Sequence, residues 1–131
     1  MGHSIEGVCV FTVNPDIPCI MVQWQGYATS VQFRKIAESQ LKLMQEYGYN
    51  KILTDNTNMK VVSMEDQEWT VKNWLPRALE AGYLACAILT SKDYFSRIAI
   101  ENIISKVGDQ LTIQYFDNIV EAAEWLKDFK G

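Results

Sequence analysis

The last third of the chain constrains its fold most, because two strand-like runs there are each followed by a helix-like run. Residues 84–90, LACAILT, are apolar on both faces, as in a strand covered by helices on each side. Residues 111–117, LTIQYFD, alternate apolar and polar side chains, and the NIVEAAEWL that follows is capped by Asn118. Successive strand–helix units are typical of a sheet packed against helices, so the sequence predicts an α/β fold.

The first half of the chain adds an antiparallel part to this sheet. GVCVFTV (7–13) and PCIMVQW (18–24) flank the turn-rich NPDIP, which predicts a hairpin. A capping box at Thr29 and Gln32 begins a helix that Gly48 ends. Its predicted buried face is Phe33, Ile36, Ala37, Leu41 and Met44.

The remaining elements complete the order ββαβαβαβα. KILTD (51–55) is a short buried strand, and a helix runs from the N-cap Ser63 to about Ala81. Thr90 and Asp93 have the capping-box spacing for a helix that ends at Gly108. The last helix buries Ile119, Ala122, Ala123 and Leu126. We therefore expect one domain over residues 1–131, a mixed sheet of about five strands with about four helices.

Composition excludes several classes of function. The net charge is -4, and the basic residues are scattered singly, so neither nucleic acid nor an anionic membrane surface is an expected partner. The longest apolar run, LACAIL, cannot span a membrane, and no leader pattern is visible, so we expect a cytoplasmic protein. Cys9, Cys19 and Cys86 lie in apolar strand patterns without a Cys-x-x-Cys spacing, which predicts buried free thiols and a reducing compartment.

The sequence gives no basis for an enzyme. It has no glycine-rich phosphate loop, no metal-ligand cluster and no nucleophile–base set, and its one histidine, His3, precedes the first predicted strand. We therefore expect no catalytic residues, no metal and no cofactor.

Polar side chains near the end of KILTD form the candidate binding site. Asp55, Asn56 and Thr57 follow a buried strand and lead through a polar loop to Ser63, at the end of the sheet where open α/β folds bind ligands. Ser91 and Asp117 are expected at the same end. The alternative is that these residues only cap turns and helices, as Asp, Asn and Ser commonly do.

Two helices carry more apolar surface than one sheet face needs. After Ser63, Val71, Trp74, Leu75 and Ala78 share a face, while Trp69 points nearly opposite unless Pro76 changes the helical phase. Trp69 is therefore either minor core or a contact residue. The helix after Ser91 has apolar residues around more than half of its circumference, with Tyr94 and Phe95 near its start. Either a neighbouring helix or a second subunit covers the excess.

The order of elements, the Asp that closes ILTD and the ending QYFDNIVEAAEWL resemble the SpoIIAA-like branch of the STAS superfamily, which is similar to CRAL-TRIO lipid-exchange domains. The resemblance implies the same fold over nearly the whole chain. Regulatory members carry an Asp-Ser-Ser-Gly type motif at the start of the second helix, where this chain has Ser63-Met64-Glu65-Asp66. Because the acidic residues would repel a phosphate, we predict that Ser63 is a helix cap, and the anti-sigma antagonist role is not carried over.

Two hypotheses for function remain. The first is a non-enzymatic regulatory or protein-interaction module, in which an unknown protein partner contacts the segment from Asp55 to Ser63, Trp69 and Tyr94, with a possible homodimer. The second is a carrier or sensor of a small apolar or lipid-like ligand. The candidate lining of its cavity is Met21, Trp24, Met59, Met64 and Trp74.

Overall fold

The computed structural model describes residues 2–5, 7–60 and 62–130, with only the backbone described for residues 2–5. Six strands follow one another in the sheet in chain order. They are β1 (Gly2–Ile5), β2 (Cys9–Asn14), β3 (Cys19–Gly26), β4 (Lys51–Met59), β5 (Ala85–Leu89) and β6 (Thr112–Phe116). The α/β class and the predicted order are confirmed, and β1 is one strand more than the sequence predicted. His3 lies in β1 opposite Phe11, and its side chain is outside the described part.

The sheet is mixed, as predicted. β1, β2 and β3 are antiparallel neighbours, which confirms the hairpin, and β3 to β6 are parallel. Each parallel strand therefore ends at the same side of the molecule, which we call the carboxyl end of the sheet. The helices that follow these strands all begin there.

The helices divide between the two faces of the sheet. They are α1 (Ser30–Tyr47), α2 (Met64–Trp69) continued by a π-helical segment (Thr70–Trp74) and α3 (Leu75–Glu80), then α4 (Tyr94–Ile104) and α5 (Ile119–Asp128). Helices α1 to α4 pack on one face of the sheet over a large apolar cluster. Because α2, the π-helical segment and α3 form one continuous rod, we call this face the three-helix side. The last helix packs alone on the other face, the one-helix side.

Local sequence explains where most helices begin and end. Thr29 and Gln32 form the predicted capping box, and Gly48 closes α1 in the left-handed conformation, with φ of 66°. Ser63 and Asn118 cap α2 and α5 as predicted. The cap of α4 is Asp93, which accepts a hydrogen bond from the Ser96 backbone, so the prediction of Thr90 as cap is wrong.

The rod from α2 to α3 shows the phase change that Pro76 suggested. The proline nitrogen cannot donate a helical hydrogen bond, and the chain accommodates this with a π-helical segment just before it. Trp74, Leu75 and Ala78 are buried as predicted, and Val71 is half-buried. Trp69, the last residue of α2, is half-buried and packs against the large apolar cluster.

The one-helix side is closely packed because its residues are small or fully buried. Ala85, Ala87 and Ala122 are 0% exposed, which allows α5 to approach the sheet, and Leu126 fills the space beside them. The Lys51 amine donates to the Leu126 carbonyl and anchors the end of this helix. Ile119, predicted to be buried in α5, is 45% exposed because it lies in the first turn, beyond the sheet.

Candidate functional site

The carboxyl end of the sheet differs from the prediction in one strand. β4 continues to Met59, four residues beyond the predicted end at Asp55, so the expected polar loop from Asn56 is strand. A shift in register between Gln23 and Gln25 lets β3 follow this extension. Asp55 pairs with Leu89, the last residue of β5, so Asn56 is the first residue of β4 beyond that pairing.

The predicted site residues are separated by this extension. Successive side chains of a strand point to opposite faces, so Asp55 and Asn56 lie on different sides of the sheet. Asp55 Oδ1 accepts a hydrogen bond from the Thr57 backbone (3.0 Å), a contact within β4 itself. Asn56 is 3% exposed on the three-helix side. The structure therefore gives these neighbours in sequence different surroundings.

Ser63 and Ser91 have structural partners at this end. Ser63 Oγ accepts from the Asp66 backbone (3.1 Å), the helix-cap geometry that the sequence predicted. Ser91 Oγ donates to the Met59 carbonyl and accepts from the Asp93 backbone, both at 3.0 Å. Ser91 thus joins the extension of β4 to the start of α4, as expected from its predicted position at the same end.

Trp69 lies in a cluster that the sequence did not reveal. The Arg34 guanidinium lies over the Trp69 ring, 5.2 Å from its centre, and its Nε is 3.1 Å from Asp66 Oδ1. Asp66 is 3% exposed, and its other oxygen accepts a hydrogen bond from Ser30 (2.8 Å). The carboxylate is buried with two side-chain partners, so this cluster joins α1 to α2. No local motif could have found it, because 32 residues separate Arg34 from Asp66.

An apolar cavity lies beneath α4 on the three-helix side. Its volume is about 140 Å³, and apolar side chains from the sheet and from three helical segments form nearly all of its lining. Trp24, Met59 and Trp74 are among them, as the carrier hypothesis predicted. Met21 packs on the one-helix side instead, and Met64 is 62% exposed, so their predicted place in the lining is wrong.

Aromatic contacts fix the walls of the cavity. Trp24 and Phe33 are stacked with ring centres 5.6 Å apart, and Trp74 meets Tyr83 edge to face at 5.9 Å. The Trp74 Nε1–H donates to the Ala37 carbonyl (2.6 Å). These contacts restrain side chains on both sides of the cavity, so it is a defined space between fixed walls.

A polar vestibule adjoins the cavity toward the carboxyl end. It has a volume of about 210 Å³ and shares Asn56, Ile88 and Ile100 with the cavity lining. Its other lining residues are Thr90, Ser91, Arg97, Glu101 and Tyr115. Burial, chiefly, and the nearby Glu101 carboxylate raise the pKa of Tyr115, so its hydroxyl is a donor at neutral pH.

Exposed apolar side chains surround the same end of the molecule. Each helix that follows a parallel strand, or the loop before it, carries at least one such side chain close to the helix start. We call this set the apolar rim, and its members are Tyr27, Val31, Met64, Tyr94, Phe95, Ile119 and Val120, each between 45% and 78% exposed. The surplus of apolar residues predicted for α4 is therefore only partly covered within the described residues, because Phe95 remains 66% exposed.

The three free thiols of the described residues lie in the two apolar clusters. Burial, chiefly, raises the pKa of Cys9 and Cys19 to about 12 and that of Cys86 to about 11, so these thiols are protonated at neutral pH. No group of three or more His, Cys, Asp or Glu in the described ranges could hold a metal ion. Within the same ranges no helix is long and apolar enough to cross a membrane.

Comparison with known proteins supports the fold. The chain is similar to the solved NMR structure of the protein TM1081, with a TM-score of 0.64 and 14% sequence identity over 97% of this chain and 92% of that one. No protein-family model matches the chain, and no curated protein matches it in sequence. At 14% identity the likeness establishes the architecture alone. The likeness agrees with the α/β architecture and mixed sheet that the sequence predicted.

Proposed function

We propose that this chain is a non-enzymatic regulatory module that acts by binding another protein at the carboxyl end of its sheet. The observation that carries the proposal is the apolar rim. Isolated exposed apolar residues are ordinary on a protein surface, but their collection at one end is typical of an interaction site. The rim includes Tyr94, which the sequence also selected.

Local geometry at the start of α4 suits a contact surface. The rings of Tyr94 and Phe95 meet edge to face, with centres 5.5 Å apart, and the Arg97 guanidinium lies 5.9 Å from the centre of the Tyr94 ring. Two ordered aromatic rings lose little conformational freedom when a partner covers them. Aromatic and arginine side chains of this kind dominate the binding energy of many interfaces.

Charge favours a protein partner over an anionic membrane. Exposed carboxylates at the carboxyl end belong to Glu65, Asp117 and Glu121, against the exposed amines of Lys60 and Lys92. The whole chain carries a charge of -4. An anionic lipid surface would repel a chain of net negative charge, whereas a protein with an apolar contact surface would cover the rim.

The surroundings of two serine hydroxyls and of the thiols support the non-enzymatic part of the proposal. The Ser63 and Ser91 hydroxyls are bonded to backbone groups, and the three described thiols are buried and protonated. A serine without a neighbouring base is a poor nucleophile.

Photo-crosslinking tests this proposal in the cells that make the protein. We would place benzoylphenylalanine at Phe95, and as matched control at Tyr47, which is 44% exposed at the end of α1 farthest from the rim. We expect a discrete adduct with another protein from position 95 and none from position 47. No adduct from position 95, or equal adducts from both positions, would refute binding at this end. A homodimer adduct would replace the foreign partner with a second copy of the chain.

A further inference from the structure

We propose that the cavity and vestibule together bind a small amphipathic molecule, with a ring-sized apolar body inside the cavity and a hydrogen-bond-accepting head at Asn56. This site is separate from the apolar rim, and the proposal does not depend on a protein partner. The sequence predicted an apolar or lipid-like ligand without a defined site. The cavity and vestibule supply the site, and the vestibule adds a polar head to the expected ligand.

The cavity is the first reason. Protein interiors pack as densely as organic crystals, and their empty spaces are few and usually small. A dry apolar cavity of about 150 Å³ can bind a benzene molecule. The cavity beneath α4 has about this size, and its aromatic walls are held in place by the contacts of Trp24 and Trp74. Its volume suits one ring or a short alkyl chain and is too small for a long lipid chain.

The side chain of Asn56 is the second reason, and it is independent of the first. Among the described residues, its only hydrogen bond is the one that Oδ1 accepts from Thr54 Oγ1 (2.8 Å). The Nδ2 amide has no partner there, although the residue is 97% buried and lines both the cavity and the vestibule. The Nδ2 amide is not among the fully enclosed polar atoms that lack a partner, so a ligand can reach it from the cavity or the vestibule.

The remaining donors of the vestibule indicate the chemistry of the head. Arg97 and Tyr115 line it with Asn56, and all three side chains can donate hydrogen bonds. A carbonyl or carboxylate oxygen is the acceptor that such a set would recognise. Glu101 supplies an opposing negative charge, so the vestibule accommodates either a neutral amide-like head or a singly charged carboxylate.

Calorimetric titration of the full chain with three matched probes tests the proposal. Phenylacetamide and phenylacetate have a ring and an acceptor, neutral in the first and charged in the second, while toluene has the ring alone. We expect at least one head-bearing probe to bind more tightly than toluene and to shift the Asn56 side-chain amide signal in NMR spectra. Tighter binding of phenylacetate would identify an acid as the ligand class, and tighter binding of phenylacetamide a neutral carbonyl compound.

Two substitutions separate recognition from simple filling of space. Asn56→Leu keeps the approximate volume and removes the donor, so the Kd of the bound probe should rise about tenfold while that of toluene stays unchanged. The control Asn58→Leu, at an exposed position of the same strand, should change neither. Should Asn56→Leu fail to fold, Ala37→Leu fills the cavity from α1 and should abolish binding of all three probes.

Three results would overturn the proposal. Binding of toluene alone would reduce the cavity to a packing defect, equal binding of the head-bearing probe to the Asn56→Leu variant would remove the role of Asn56, and no binding at millimolar concentration would remove the site. None of these substitutions alters the apolar rim. Failure here therefore leaves protein binding at the carboxyl end intact, and failure of the crosslinking test leaves this site intact.

Discussion

The two faces of the sheet differ in how their side chains are packed. The one-helix side is filled by small residues such as Ala85, Ala87 and Ala122 together with larger buried ones such as Leu53 and Leu126. The three-helix side is larger, yet it leaves the cavity beneath α4. We infer that the one-helix side serves mainly stability, whereas the three-helix side gives up some packing energy for binding.

Truncating one core residue on each side is the most direct test of whether the two faces differ in packing. Leu126→Ala opens a hole at a position that is 0% exposed and should lower the free energy of unfolding by about 3 kcal/mol. Ile103→Ala removes a half-buried side chain that already faces the cavity, so the expected loss is only about 1 kcal/mol. Urea unfolding measures both, and equal losses would show that the two sides are packed alike.

Alkaline pH tests the burial of the thiols on both sides. Folding raises the pKa of Cys9 and Cys19 from 9.0 to about 12, so above pH 9 the unfolded chain loses protons that the folded chain keeps. Stability is therefore fully present below pH 9 and falls as the pH rises from 9 toward 12. Urea midpoints measured from pH 7 to pH 10.5 should stay level and then decline. A midpoint that is level across the whole range would contradict the buried thiols.

Thiol reactivity sharpens the contrast between the two sides. Cys86 lines the cavity and has a pKa of about 11, whereas Cys19 lies in the one-helix core with a pKa of about 12. Because Cys86 borders the cavity and Cys19 is 0% exposed, a small methylthiolating reagent should modify Cys86 first. Peptide mass spectrometry of samples taken over time reports the order, and earlier modification of Cys19 would contradict access through the cavity.

A buried hydroxyl in α4 tests the cost of a polar group without a hydrogen-bond partner. Ser96 is 0% exposed, and its Oγ has no hydrogen-bond partner among the residues described. Ser96→Ala removes a polar group whose burial is uncompensated, so it should raise the free energy of unfolding by about 1 kcal/mol. Ser105→Ala, whose exposed Oγ donates to the Asn102 carbonyl, is a control that should change it by less. A loss of stability in Ser96→Ala would reveal a partner for this hydroxyl.

The smallest effect on stability is expected at the apolar rim. Phe95 is 66% exposed, so Phe95→Ser should change the free energy of unfolding by less than about 0.5 kcal/mol. The same substitution should abolish the complex with the partner protein in native mass spectra, since the rim has no other aromatic pair like Tyr94 and Phe95. A large loss of thermal stability would instead assign Phe95 to the core.

The sequence predicted the architecture because its signals are local. Capping boxes, glycine stops and apolar periodicity place α1, β5 and α5 within a residue or two of their observed ends. The extension of β4 was missed because Asn56 to Asn58 have the composition of a loop, and their strand pairing depends on Gln25 and Gly26 of β3. Thr90 and Asp93 are both residue types that cap helices, and the structure shows that Asp93 caps α4.

Less of the candidate site could be predicted. Asn56 and Tyr94 were selected from the sequence, yet nothing local distinguishes a buried Asn that lines a cavity from one that caps a turn. The vestibule joins β4, β5, β6 and α4, and Arg97 and Tyr115 reach it from separate segments. The apolar rim was visible only in part, because exposure in the first turn of a helix depends on where the sheet ends.

Native mass spectrometry of the chain recovered from its own cells tests the central claim most directly. We predict that the wild-type chain carries one protein partner, and that a Tyr94→Ser, Phe95→Ser double variant of equal thermal stability appears without it. A bare wild-type monomer, or a complex that survives the double substitution, would contradict binding at the apolar rim.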